Sequence, residues 1–160
     1  MRQTFNRRSM LGFCTGGAAT AWLATSATRA RAADTTFKAT LNGASEVPAN
    51  QTAGTGTCTA TYDPATKQLS WNGTFSGLTG AATAGHFHGP APVGQNAGVV
   101  IWLSEKPVQG APRAPFDSPF QGSTTLTDQQ ANDLLAGNWY VNVHTAANPG
   151  GEIRGQLVKS

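Results

Sequence analysis

Apolar and polar residues alternate with a period of two along most of the chain, which is the mark of half-buried β-strands. Phe37, Ala39 and Leu41 alternate with Lys38 and Thr40 as far as Asn42-Gly43. Thr57, Thr59 and Thr61 stand opposite Cys58, Ala60 and Tyr62. Asp63-Pro64-Ala65-Thr66 then turns the chain, and Leu69, Trp71 and Phe75 share one face on the way back. Residues 55–76 therefore predict a β-hairpin. Before it, Glu46-Val47-Pro48 reads as an irregular edge or loop segment. A turn at 77–80 leads to a strand carrying Gly85-His86-Phe87-His88-Gly89, followed by a Gly/Pro-rich loop over 89–98. Residues 99–103 are apolar at every position and predict a central strand covered on both faces. Residues 104–122 hold four prolines and predict a long loop or edge segment.

The period changes once. Thr127 is a good N-cap with Gln130 three residues on, Ala131, Leu134 and Leu135 lie along one side, and Gly137 supplies the stop. This predicts one short helix with a capping box, covering an open end of a sandwich. The C-terminal stretch 138–157 returns to period two. Val141 and Val143 share a face, with Asn142 and His144 on the other; Asn148-Pro149-Gly150-Gly151 is a turn. Ile153 and Leu157 then share one face, and Glu152, Arg154 and Gln156 the other. About eight short strands punctuated by Gly and Pro predict an all-β fold, an antiparallel Greek-key sandwich or barrel with one short helix before the C-terminal strands.

Composition and charge alter this picture at the N-terminus. The formal charge is +3, but Arg2, Arg7, Arg8, Arg29 and Arg31 all precede the first acidic residue, Asp34. The remainder carries six basic and eight acidic residues, so the basic pI gives no case for nucleic acid. Residues 1–32 read as a twin-arginine-type signal peptide: Arg7-Arg8, a moderately apolar stretch broken by Gly and Thr, and the small-x-small site Ala30-Arg31-Ala32. The mature domain is then 33–160, periplasmic or secreted, with no membrane span after cleavage. Cys14 leaves with the leader, and Cys58, alone in the mature chain, reads as a core residue.

The chemistry concentrates in three histidines, His86, His88 and His144, and the chain has no others. The H-x-H spacing puts two imidazoles on one strand face, and His144 is the one histidine left to join them. Three imidazoles favour copper, zinc or nickel over magnesium or calcium and leave a coordination position open to water, a carboxylate or a substrate. Asn142, Glu152 and Arg154 are candidates to orient the rings or balance charge. The competing reading is structural: the histidines bond loop carbonyls, and Glu152 and Arg154 form an exposed ion pair. No nucleophile elbow or phosphate loop is present, and Glu152 is the best general base on offer.

Four blocks, LNGASEVPAN, GTGTCTATYDPATKQLSWNGTFSGL, AGHFHGPAPVGQNAGVVIWL and LLAGNWYVNVHTAANPGGEIRGQL, resemble the CHRD domain family. That family takes its name from the repeated domain of the animal protein chordin, and single copies occur in exported microbial proteins. Trp139 stands where a smaller apolar residue is usual, and Phe87 where Ile is common. The resemblance implies an extracytoplasmic, immunoglobulin-like β fold and no established enzyme activity. Three readings of function follow: a non-enzymatic exported domain holding one transition metal, copper first; a metal-free module binding a protein or an envelope glycan through its polar strands and the 89–98 loop; and a small metalloenzyme with redox activity. Fold alone does not choose among them.

Overall fold

The computed structural model describes residues 32–104 and 116–160. The export segment expected over 1–32, apart from Ala32, lies outside the described residues, as does the middle of the proline-rich stretch. Among the described residues, nine strands, one α-helix and a short 3-10 turn (Gly43–Ser45) follow in order. The strands are β1 (Thr35–Asn42), β2 (Thr55–Asp63), β3 (Gln68–Ser76), β4 (Ala82–His88), β5 (Val99–Trp102), β6 (Phe120–Thr125), β7 (Tyr140–Thr145), β8 (Ile153–Gln156) and β9 (Val158–Lys159). The helix, α1 (Asp128–Leu135), lies between β6 and β7. All pairings are antiparallel, and hydrogen bonding runs unbroken in the order β5-β4-β7-β8-β1-β2-β3-β6, with β9 also on β1.

One sheet of this width buries its apolar face by curling. Trp71 of β3 and Phe87 of β4 stand far apart in the strand order, yet their rings meet edge to face at 5.4 Å. The result is sandwich-like, a half-barrel filled by Phe37, Leu41, Leu69, Phe87, Trp139, Val141, Val143, Ile153 and Leu157. The ring of Phe116 lies where a Cβ on Gly85 would collide with it, so only a glycine lets it pack against β4. The expected hairpin forms in register from Thr55↔Ser76 to Asp63↔Gln68. In its turn Asp63 Oδ1 accepts from the Ala65 amide. The helix begins with the expected capping box between Thr127 and Gln130, and buries Ala131 and Leu134. Cys58 is buried, and desolvation pushes its thiol up to about 12.

One expectation needs correction. The strand at 99–102 is not central: β5 ends the strand order, and Val99 is exposed. An apolar run reports a preference for burial but not a place in the sheet. The described end of the proline-rich stretch runs into an edge strand, β6, with Gly73↔Phe120 and Gln68↔Thr125 bounding its pairing to β3. Among the described residues no helix is long and apolar enough to cross a membrane.

Candidate metal centre

Strand β7 is buried on both faces. Val141 and Val143 point into the apolar core, while Tyr140, Asn142 and His144 face a polar layer roofed by the 89–98 loop and the segment after β1. Antiparallel pairing with β4 sets His86 opposite Asn142, His88 opposite Tyr140, and Ala84 opposite His144. The period-two side-chain rule puts His86 and His88 on the same outer face, with Phe87 pointing inward. Thus β4 brings two histidines and β7 the third, and all three are at most 9 % exposed.

The ring nitrogens are held in defined states. His88 Nδ1 lies 3.0 Å from the carbonyl oxygen of Ala97, and His144 Nδ1 lies 3.0 Å from that of Pro149. A carbonyl only accepts, so each Nδ1 carries the proton and each Nε2 keeps its lone pair. Metal-ligating histidines are held in this way, with the second ring nitrogen donating to an oxygen. His86 Nδ1 stands 3.0 Å from His144 Nε2, and His86 supplies the proton between those rings. His88 Nε2 is buried without a hydrogen-bond partner among the described residues. One ligand atom from each histidine lies within 4.8 Å of the others. A tetrahedral ion with bonds of about 2.0–2.1 Å holds its ligands about 3.4 Å apart, so the three atoms would have to draw together to share one. His86 packs edge-on against Trp102 at 4.2 Å, and His88 stacks on Tyr140 at 4.8 Å.

The surroundings of His88 favour its neutral form. Burial lowers the pKa of His88, and the positive charge of Arg154 adds to this, against the Ala97 carbonyl and the Asn142 side chain. Arg154 is itself buried: Nη1 donates to Asn96 Oδ1 at 2.9 Å, Nη2 donates to the Gln95 carbonyl at 2.6 Å, and the guanidinium lies 3.4 Å over the Tyr140 ring. It therefore clamps the roofing loop to the strands. Glu46 lies in the same layer, buried, with its pKa raised to about 7 by desolvation against the lowering pull of Arg154 and the Asn142 amide.

Of the residues singled out in the sequence, His86, His88, His144, Asn142 and Arg154 share this layer; Glu152 does not. Gly151 takes φ +135°, and β8 begins only at Ile153, so Glu152 leaves the face of Arg154. Its carboxylate accepts from the hydroxyls of Thr52 at 2.6 Å, Thr145 at 2.6 Å and Thr79 at 2.7 Å, and from the Thr79 amide at 2.7 Å. Burial alone would raise its pKa, but these bonds win and hold it at about 2. The exposed Glu152–Arg154 pair of the structural reading is not formed, since both side chains are buried and each bonds elsewhere.

Glu46 and Tyr140 were missed as parts of the site. A signal for Glu46 existed: it is the lone charged residue between Lys38 and Asp63, and a buried acid in a neutral stretch needs a cation nearby. Tyr140 carries no such signal.

A family model for the CHRD domain matches residues 37–157, a span that takes in the whole histidine layer. Neither the curated proteins nor the solved structures include a match to the chain.

Proposed function

The chain belongs to the CHRD domain family, and from that premise we propose that it is a small exported, non-enzymatic module that holds one transition-metal ion through His86, His88 and His144. Copper is the first choice and zinc the second, because imidazole donors suit both far better than magnesium or calcium. One observation carries this reading. One ligand atom from each of the three buried histidines lies within 4.8 Å of the others. Export through the twin-arginine route to the periplasm or beyond belongs to the same proposal, as does the Greek-key, immunoglobulin-like connectivity implied by the family.

The test is metal content. Protein purified without a histidine tag should carry, or take up in titration, about one copper or zinc ion per chain. A folded His86→Ala/His88→Ala variant should lose that uptake. Full uptake by the variant, or none by the wild type, would overturn the proposal.

A second reading, a metal-free module for a protein or an envelope glycan, has one observation in its favour: Val93 in the 89–98 loop is 78 % exposed. It predicts partner capture that chelators leave unchanged. The redox-enzyme reading gains nothing comparable, because Glu152, its best general base, is engaged by three threonines.

A further inference from the structure

Three histidines alone would leave the ion a position open to solvent or substrate. We infer that this position is taken by the protein: Asn142, through its side-chain Oδ1, is the fourth ligand, and the site is closed. The inference rests on the metal reading above and adds a ligand and a chemical consequence to it.

Asn142 stands in the middle of the histidine triangle. His86 is its direct cross-strand partner, at a Cβ separation of about 4.5–5.5 Å for such pairs. His144 is two residues along the same face of β7, and His88 is its diagonal neighbour on β4. Asn142 Oδ1 lies 3.0 Å from His144 Nε2. Because the His144 proton sits on Nδ1, facing Pro149, both atoms of that contact are acceptors. Two lone pairs at hydrogen-bonding distance repel, and a cation beside them turns the repulsion into two bonds.

The other end of the amide is held from behind. Burial raises the pKa of the Glu46 carboxyl, and the neighbouring Asn142 side chain pulls it part of the way back. Glu46 in turn lies against Gly151, where any Cβ would collide with the carboxyl. Glu46 is thus a positioning residue that keeps Oδ1 toward the histidines. Asn142 is 3 % exposed, so bulk water does not compete for its orientation.

Three imidazole nitrogens and one amide oxygen form a neutral, four-coordinate set suited to Zn(II) or Cu(II). Closed sites of this kind hold an ion, whereas hydrolytic sites keep a position for water. The arrangement therefore favours metal holding over catalysis.

Cobalt(II) is the probe, because its d–d absorption is strong in four-coordinate sites and weak when water raises the coordination number. Wild-type protein should bind about one Co(II) per chain with strong absorption. Asn142→Ala should bind Zn(II) about 100-fold more weakly, at or beyond the upper end of the roughly 10–100-fold lost with an outer partner, and its Co(II) bands should fade. Asn142→Asp should keep the intensity but shift the bands, because a carboxylate replaces the amide. Glu46→Gln should weaken binding by about tenfold without changing the spectrum. If wild type binds Co(II) and both Asn142 variants show its unaltered bands, Asn142 is not a ligand, and the three-histidine site stands. If the Ala variant does not fold, the Asp variant decides alone: shifted bands support the assignment and identical bands overturn it. Failure of wild type to bind Co(II), Zn(II) or Cu(II) removes the metal reading itself.

Discussion

Two buried polar clusters share β7 and are built on opposite rules. Around Glu152, one carboxylate meets four donors, from Thr52, Thr145 and Thr79, within 2.6–2.7 Å. It ties three segments together and needs nothing from outside. The histidine layer is less complete: His144 Nε2 accepts from His86 Nδ1 and lies 3.0 Å from Asn142 Oδ1, while His88 Nε2 and Glu46 Oε1 have no hydrogen-bond partner among the described residues. Buried polar groups in folded proteins are nearly always satisfied, so the unpartnered His88 Nε2 in a preorganised layer is consistent with the cation proposed above. The first cluster is a structural knot and the second a receptor, although both draw on the same short stretch of chain.

Substitutions should separate them. The largest effect is expected at Glu152. Glu152→Ala strands several buried donors and should cost at least about 3 kcal/mol in denaturant unfolding, since a hydrogen bond to a charged group contributes about 1.5–3 kcal/mol. Acid should act on the same point. A carboxyl held at about 2 in the folded chain, against an ordinary 4.5, binds its proton less readily folded than unfolded. Its stabilisation is complete above about pH 4.5 and is lost as pH falls toward 2, and Glu152→Gln should flatten that stretch of the stability curve. A mutant as stable as wild type would show that the knot holds nothing.

Arg154 tests the other side with a middling effect. Arg154→Met removes two hydrogen bonds and the stack on Tyr140, and should cost about 2–3 kcal/mol. It should also speed amide hydrogen exchange across the 89–98 loop, where Gln95 and Asn96 are its partners. Unchanged exchange there would mean that the roof stays down without its clamp. The smallest effect belongs to a residue outside both clusters. Thr127→Ala removes the helix cap and should cost about 1 kcal/mol, with metal uptake unaltered. A change in uptake would show that stability and binding are coupled throughout the domain.

Much of the fold was legible because its causes are local. Alternation predicted β1, the β2–β3 hairpin and the inward faces of β7. Thr127, Gln130 and Gly137 predicted both ends of α1, since capping involves residues three or four apart. The pairing of two histidines on β4 was legible for the same reason: period two puts residues 86 and 88 on one face.

What lay beyond the chain's local pattern was decided by contacts between distant residues. The meeting of His144 with the other two rings follows from the β4–β7 register, and a slip of one residue would have turned it to the other face. Glu152 left the face that simple alternation assigned to it, because the backbone at Gly151 turns through φ +135° before β8 begins. The edge position of β5 and the burial of Glu46 beside Asn142 and Arg154 likewise depend on strand order and loop packing. Residue types and their spacing specify which way a strand faces. Only the curled sheet decides which faces meet, because burial and hydrogen-bond satisfaction there are settled among residues as many as 102 positions apart.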